Sequence, residues 1–171
     1  MGENGSGKST LLEGIAVAYG FNPEGGTKNY NFTTYDSHSE LYHSIRLTKG
    51  IRRPQGSYFL RAESFYNVAS KAEDYRDNEP IEVYYARYGG KSFHQQSHGE
   101  SFLALIQGNF VGNGIYLLDE PEAALSPQRQ LTLLLEIDKL TRQGAQFIIA
   151  SHSPILLGLP DAQILSFDEG V

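Results

Sequence analysis

Cysteine is absent from this 171-residue chain. That excludes a disulfide-stapled mini-domain, a thiolate zinc or iron–sulfur centre and a cysteine nucleophile. Long apolar runs are missing too. None approaches the roughly 18 residues needed to span a bilayer, and the most apolar C-terminal stretch, 147–159, is broken by Ser151, His152, Ser153 and Pro154. The N-terminus lacks a basic region followed by an apolar one, so no secretory leader is read there and a cytoplasmic location is expected. Excess positive charge is lacking as well. The net charge of −6 gives no overall pull toward nucleic acid. No internal repeat or low-complexity tract is visible.

What is present is ordinary globular material, with 40% hydrophobic and 20% charged residues, and the length fits one domain over 1–171. Leu11, Leu12, Ile15, Ala16 and Tyr19 recur at helical spacing over 8–19, and Gly20 is a natural stop. Residues 22–31 read as a loop. Leu41, His43, Ile45 and Leu47 alternate with mostly polar neighbours and predict a strand; 58–61 predicts a second, and 64–75 a helix. Residues 81–88 are β-prone and end at Gly89-Gly90. A helix is expected over 100–108 and a buried parallel strand over 115–118. Ser126 and Pro127 then open a long helix that Gly144 follows. Strands are expected at 147–150 and 164–167. Strands alternating with helices predict an α/β fold around a mainly parallel sheet.

Four segments carry chemistry. Gly2-Glu3-Asn4-Gly5-Ser6-Gly7-Lys8-Ser9, followed by Thr10, fits GxxxxGK[ST] and runs into a helix. Chance produces that pattern in on the order of one chain in 200 of this length, so it is read as a phosphate loop. Its glycines let successive N–H groups wrap an anion, and the helix start adds a positive dipole end. Lys8 would reach the β- and γ-phosphates, and Ser9 would place its hydroxyl on Mg²⁺. Ile115-Tyr116-Leu117-Leu118-Asp119-Glu120 is an apolar strand ending in two carboxylates. Asp119 suits the Mg²⁺ shell, and Glu120 suits a base that deprotonates attacking water. Ser97-His98-Gly99-Glu100-Ser101 precedes an apolar helix; it reads as an anion-facing helix start or simply as an N-cap with Glu in the first turn. His152, after a buried strand, could touch the γ-phosphate or be a satisfied loop histidine.

The order of these segments resembles that of ABC-type P-loop ATPases, and in particular the stand-alone bacterial predicted ATPases of the ABC/AAA group. The match runs through 59–65, 97–102, 118–127 and 151–156, and spans nearly the whole chain. The resemblance implies ATP and Mg²⁺ as ligands and a homodimer formed on ATP binding, with two nucleotides sandwiched head to tail. It implies that Asn4, Gly5, Ser6, Gly7, Lys8, Ser9 and Thr10 hold nucleotide. Ser9 and Asp119 would hold the metal, Glu120 would be the base and His152 the switch histidine. Ser97, Gly99 and Glu100 would close over the γ-phosphate of the partner protomer, and Ser126 would lie in the loop crossing the dimer. Glu100 is similar to the signature of chromosome-structuring and break-repair ATPases rather than of most transporters. A smaller helical subregion over about 64–110 would carry that signature.

The sequence also departs from the pattern. His98 stands where Gly is usual, Ser126 where Asp is usual, and the Q-loop has no clear counterpart beyond Glu63. The segment 63–97 is too short for a coiled-coil arm. The chain starts inside the phosphate loop, which predicts an N-terminally truncated product lacking the preceding strand. Arg46, Lys49, Arg52 and Arg53, with Arg61 beyond, form either a phosphate- or nucleic-acid-facing patch or a solvated face. The tyrosines at 84, 85 and 88 either stack bases or cover a core edge. The expected activity is therefore Mg-dependent ATP hydrolysis. The alternatives are a nucleotide-gated DNA-repair or defence module with a DNA or protein partner, or an inactive fragment.

Overall fold

Ser57–Arg61 (β1), Ile115–Asp119 (β2) and Gln146–Ala150 (β3) form a parallel sheet in a computed structural model that describes residues 6–27, 40–65, 80, 85, 90 and 96–167. β2 lies between the other two. The register pairs Arg61 with Asp119 and Asp119 with Ala150, so the three carboxyl ends finish at one level.

Successive strand residues face opposite sides of a sheet. Tyr58, Leu60, Tyr116 and Leu118 turn to one face, and Phe59 and Leu117 to the other. Helices cover both faces, which is why β2 is apolar on both of its sides. On the Phe59 face lies α1 (Lys8–Tyr19), whose Leu12 and Ala16 are buried against Phe59, Leu117 and Ala150. Gly20 closes α1 in left-handed backbone (φ 101°), its N–H reaching the carbonyls of Ala16 and Val17. On the Tyr58 face lie α2 (His98–Asn109) and α3 (Pro127–Arg142), which contribute Phe102, Ile106, Leu133 and Ile137 to the larger core. The architecture is α/β, a parallel sheet flanked by helices, and is consistent with a P-loop NTPase fold.

Tyr116 anchors the entry to β2. Its ring stacks on Phe110 at 4.0 Å, and its hydroxyl accepts from the Val111 N–H and donates to the Val111 carbonyl. Only glycine fits at 114, because a Cβ there would collide with the Tyr116 ring.

The structure follows the sequence pattern at α1, α2, α3 and all three strands, and differs elsewhere. The expected strand at 41–47 is instead a 3-10 turn, Glu40–Ser44, followed by irregular backbone. Leu41 and Ile45 both reach Gly14 of α1, and their spacing of four suits a helical turn better than a pleat. Residues 164–167 form no strand; Ile164 and Leu165 are exposed. Most of 64–75 and 81–88 lies outside the described residues. Phe65 is helical and meets Phe102 edge-on at 5.3 Å. Tyr85 is also helical, against the β expectation, and packs on the core.

Leu118 is fully buried at the sheet centre, whereas Leu135 on α3 is 66% exposed. Leu118→Ala is expected to destabilise the fold by about 2–5 kcal/mol in urea titration, and Leu135→Ala by less than about 0.5 kcal/mol.

Candidate functional site

In open parallel sheets, ligands bind beyond the carboxyl ends of the strands. Here those ends are Arg61, Asp119 and Ala150, and the start of α1 meets them. Gly7 sits in left-handed backbone (φ 87°) with open space where a Cβ would be, so conformation and not crowding requires glycine. It turns the chain into α1 at Lys8. Lys8 is buried, and its Nζ donates to Ser6 Oγ at 3.1 Å. Ser9 hydrogen-bonds the Asp119 carboxylate, while Thr10 is exposed. Asn4 and Gly5 lie outside the described residues.

Asp119 is 5% exposed. Burial pushes its carboxyl above the usual range; the Ser9 hydrogen bond and the Arg61 guanidinium oppose the shift, and Glu120 and Glu13 add to it. Arg61 Nε lies 3.4 Å from Asp119 Oδ2, and its Nη1 donates to Glu13 Oε2 at 2.9 Å and to the Pro23 carbonyl at 3.0 Å. Asp119 Oδ1 is buried without a hydrogen-bond partner among the described residues. An orphaned carboxylate oxygen beside a serine hydroxyl fits a hard divalent cation. Mg²⁺ commonly takes one or two protein oxygens and completes its shell with water and substrate phosphate. Among the described residues no group of three or more His, Asp or Glu could hold a metal alone.

Glu120 adopts left-handed backbone (φ 46°, ψ 50°), an uncommon state for a residue with a Cβ. Two bonds hold it there: its N–H donates to the Ala150 carbonyl at 2.9 Å, and its own carbonyl accepts from Ala123 N–H at 3.0 Å. The half-exposed His152 then lies with Nδ1 3.9 Å from Glu120 Oε1. The ends of β2 and β3 thus bring the two expected catalytic side chains together.

Ser97, Gly99 and Glu100 are organised differently. Glu100 Oε2 accepts from the Ser97 N–H and hydroxyl, a capping box at the start of α2. Arg129 of α3 donates to Ser97 Oγ at 3.2 Å and to Glu100 Oε1 at 3.0 Å. Gly99 is buried, and a Cβ there would stand 2.9 Å from the Ala124 carbonyl. This segment is therefore tied to α3. Ser126 is the N-cap of α3 through its backbone, and its side chain makes no cap hydrogen bond. Glu63 and His98 are exposed.

Sequence reasoning does not single out two residues of this region. Arg61 was grouped with the basic stretch before it. Arg46, Lys49, Arg52 and Arg53 are indeed exposed, but Arg61 is ion-paired at the end of β1. Glu122 follows Asp119 and Glu120 as a third nearby carboxylate, without a pattern of its own. It is buried and binds the loop after β3. The only sequence signal for it is a lone carboxylate among Pro121, Ala123 and Ala124.

A protein-family model described as "AAA domain, putative AbiEii toxin, Type IV TA system" matches residues 97–158. The chain is 28% identical over 178 residues to the "Putative ABC transporter ATP-binding protein" of Geobacter sulfurreducens, an alignment covering 93% of this chain and 60% of that protein. It is 26% identical over 168 residues to "Ribose import ATP-binding protein RbsA" of Bacillus cereus, covering 89% of this chain and 33% of that protein. The chain thus spans less than two thirds of each of these curated relatives. No solved structure matches it significantly. The chain is thus similar to an AAA-domain family and to ABC-type ATP-binding proteins, and its α/β fold is consistent with that similarity.

Because the fold raises the Asp119 carboxyl, ionised Asp119 is a cost to stability at neutral pH; the cost fades as pH falls through the raised folded value and is gone below the ordinary carboxylate value. Asp119→Asn is expected to raise ligand-free stability at pH 7 by about 1 kcal/mol, or about 3 °C, with the gain shrinking toward pH 3. Mg-ATP at 100 times its dissociation constant should add about 2.7 kcal/mol to the parent. The variant is expected to lose the Mg-dependent part. Thermal scans with and without nucleotide, across pH, check both effects.

Proposed function

We propose that this chain binds Mg-ATP and hydrolyses it, acting in the cytoplasm as one ABC-type domain that forms a nucleotide-sandwich homodimer. The observation that carries the reading is the convergence of Lys8, Ser9, Asp119, Glu120 and His152 at one end of the parallel sheet, with Asp119 Oδ1 buried and unpartnered. Among the described residues no helix is long and apolar enough to cross a membrane.

The N–H groups of the 4–9 loop and the Lys8 ammonium bind the phosphates. Ser9 and Asp119 hold Mg²⁺, which when bound neutralises charge on the β- and γ-phosphates. Glu120 accepts a proton from water as the water oxygen bonds to the γ-phosphorus. The bond to the β–γ bridging oxygen breaks, and ADP leaves with that electron pair. His152 lies on the γ-phosphate side of the site, where its imidazole orients the attacking water. Ser97, Gly99 and Glu100 serve the nucleotide of the partner protomer, with α2 fixed for that task by Arg129. The subregion around 64–110 presents this segment. A second reading, a nucleotide-gated DNA-repair or defence module, draws on the toxin-system description of the family matching 97–158. ATPase stimulation by DNA or by a protein would mark it.

Glu120→Gln is expected to lower turnover by about 10²–10⁴-fold while leaving ATP binding intact. In size-exclusion chromatography it should move from monomer to dimer only with Mg-ATP. Turnover at the parent rate would remove Glu120 from its role, and a monomer under both conditions would remove the sandwich.

A further inference from the structure

Glu122 has a buried carboxylate for which the proposed hydrolysis has no use. Its side chain is 6% exposed. One oxygen, Oε1, accepts three hydrogen bonds from consecutive residues of the loop after β3: Ser151 Oγ at 2.8 Å, His152 N–H at 2.7 Å and Ser153 N–H at 3.2 Å. The other, Oε2, is buried without a hydrogen-bond partner among the described residues. Burying a carboxylate costs far more than burying an amide, and a neutral glutamine oxygen could accept the same three bonds. The charge therefore calls for a further role.

The imidazole of His152 supplies one. Its Nδ1 lies 3.3 Å from Glu122 Oε1 and 3.9 Å from Glu120 Oε1, so two carboxylates face the same ring nitrogen. Negative charge beside Nδ1 favours a proton on Nδ1, and the partner of one ring nitrogen decides the state of the other. The loop is also latched from its far side. Ser153 Oγ donates to Gln130 Oε1 at 2.6 Å, and Gln130 Nε2 donates to the Leu125 carbonyl.

We propose that Glu122 is a positioning residue for His152: it clamps the 151–153 turn and keeps the proton on imidazole Nδ1, leaving the Nε2 lone pair to accept a hydrogen bond from the attacking water. Its effect on turnover rests on the hydrolase reading above; its effect on the imidazole does not.

The test is ¹⁵N NMR of the His152 ring, assigned with His152→Gln, at a pH well above the ordinary histidine value. The parent is expected to show mainly the Nδ1–H tautomer, and Glu122→Gln a shift toward Nε2–H. An Nε2–H parent, or the same tautomer in parent and variant, overturns the proposal. The parent spectrum decides even if the variant does not fold. In steady-state assays Glu122→Gln should lower kcat by about tenfold or more with KM and Tm near parent values; unchanged kcat overturns the role in turnover. A parent that shows the Nδ1–H tautomer yet no ATPase activity sinks the hydrolase reading and leaves the imidazole assignment standing.

Discussion

A negative charge held at the end of a buried strand organises the rest of this site. Asp119 follows three core residues of β2 and carries its carboxylate to the level where β1 and β3 also stop. Such a charge is costly unless it is met by donors or a cation. Ser9 comes from the first turn of α1 and Arg61 from the end of β1, so the helix and the neighbouring strand both converge on this carboxylate. The arrangement leaves Oδ1 unsatisfied. That unmatched oxygen is the observation on which the proposed divalent-cation site rests.

The turn after Asp119 is also locally strained. Glu120 is held in left-handed backbone by bonds to Ala150 and Ala123, and that strain turns its side chain toward His152. Two residues later Glu122 reaches across to the loop after β3. Two strand ends that are merely hydrogen-bonded neighbours thereby become one unit with a defined spacing between a carboxylate and an imidazole.

The segment Ser97–Glu100 is governed by a different set of contacts. Its hydroxyl and carboxylate satisfy the start of α2, and Arg129 joins both to α3. The two interpretations open at the level of sequence, a simple cap and an anion-facing signature, are compatible. The capping box gives the helix start a fixed shape, which the proposed partner-facing role would use.

Much of this was legible in the sequence because it rests on short-range patterns. Helical spacing over 8–19, the apolar run before Asp119-Glu120 and the Ser126-Pro127 helix start all depend on neighbours within one or two turns. The strand expected at 41–47 failed because its alternation serves contacts with Gly14 of α1, which no local pattern records. The residues at 164–167 form no strand, and Ile164 and Leu165 stay exposed. Local sequence suffices for the GxxxxGK[ST] segment that opens α1, for the acidic strand end and for the α/β order, since each is written in consecutive residues. Folding was needed to show that Arg61 belongs to Asp119 rather than to the exposed basic stretch, and that Glu122 binds the loop of His152. Those pairings join residues 58 and about 30 positions apart, and they exist only because parallel strands bring their carboxyl ends to one level.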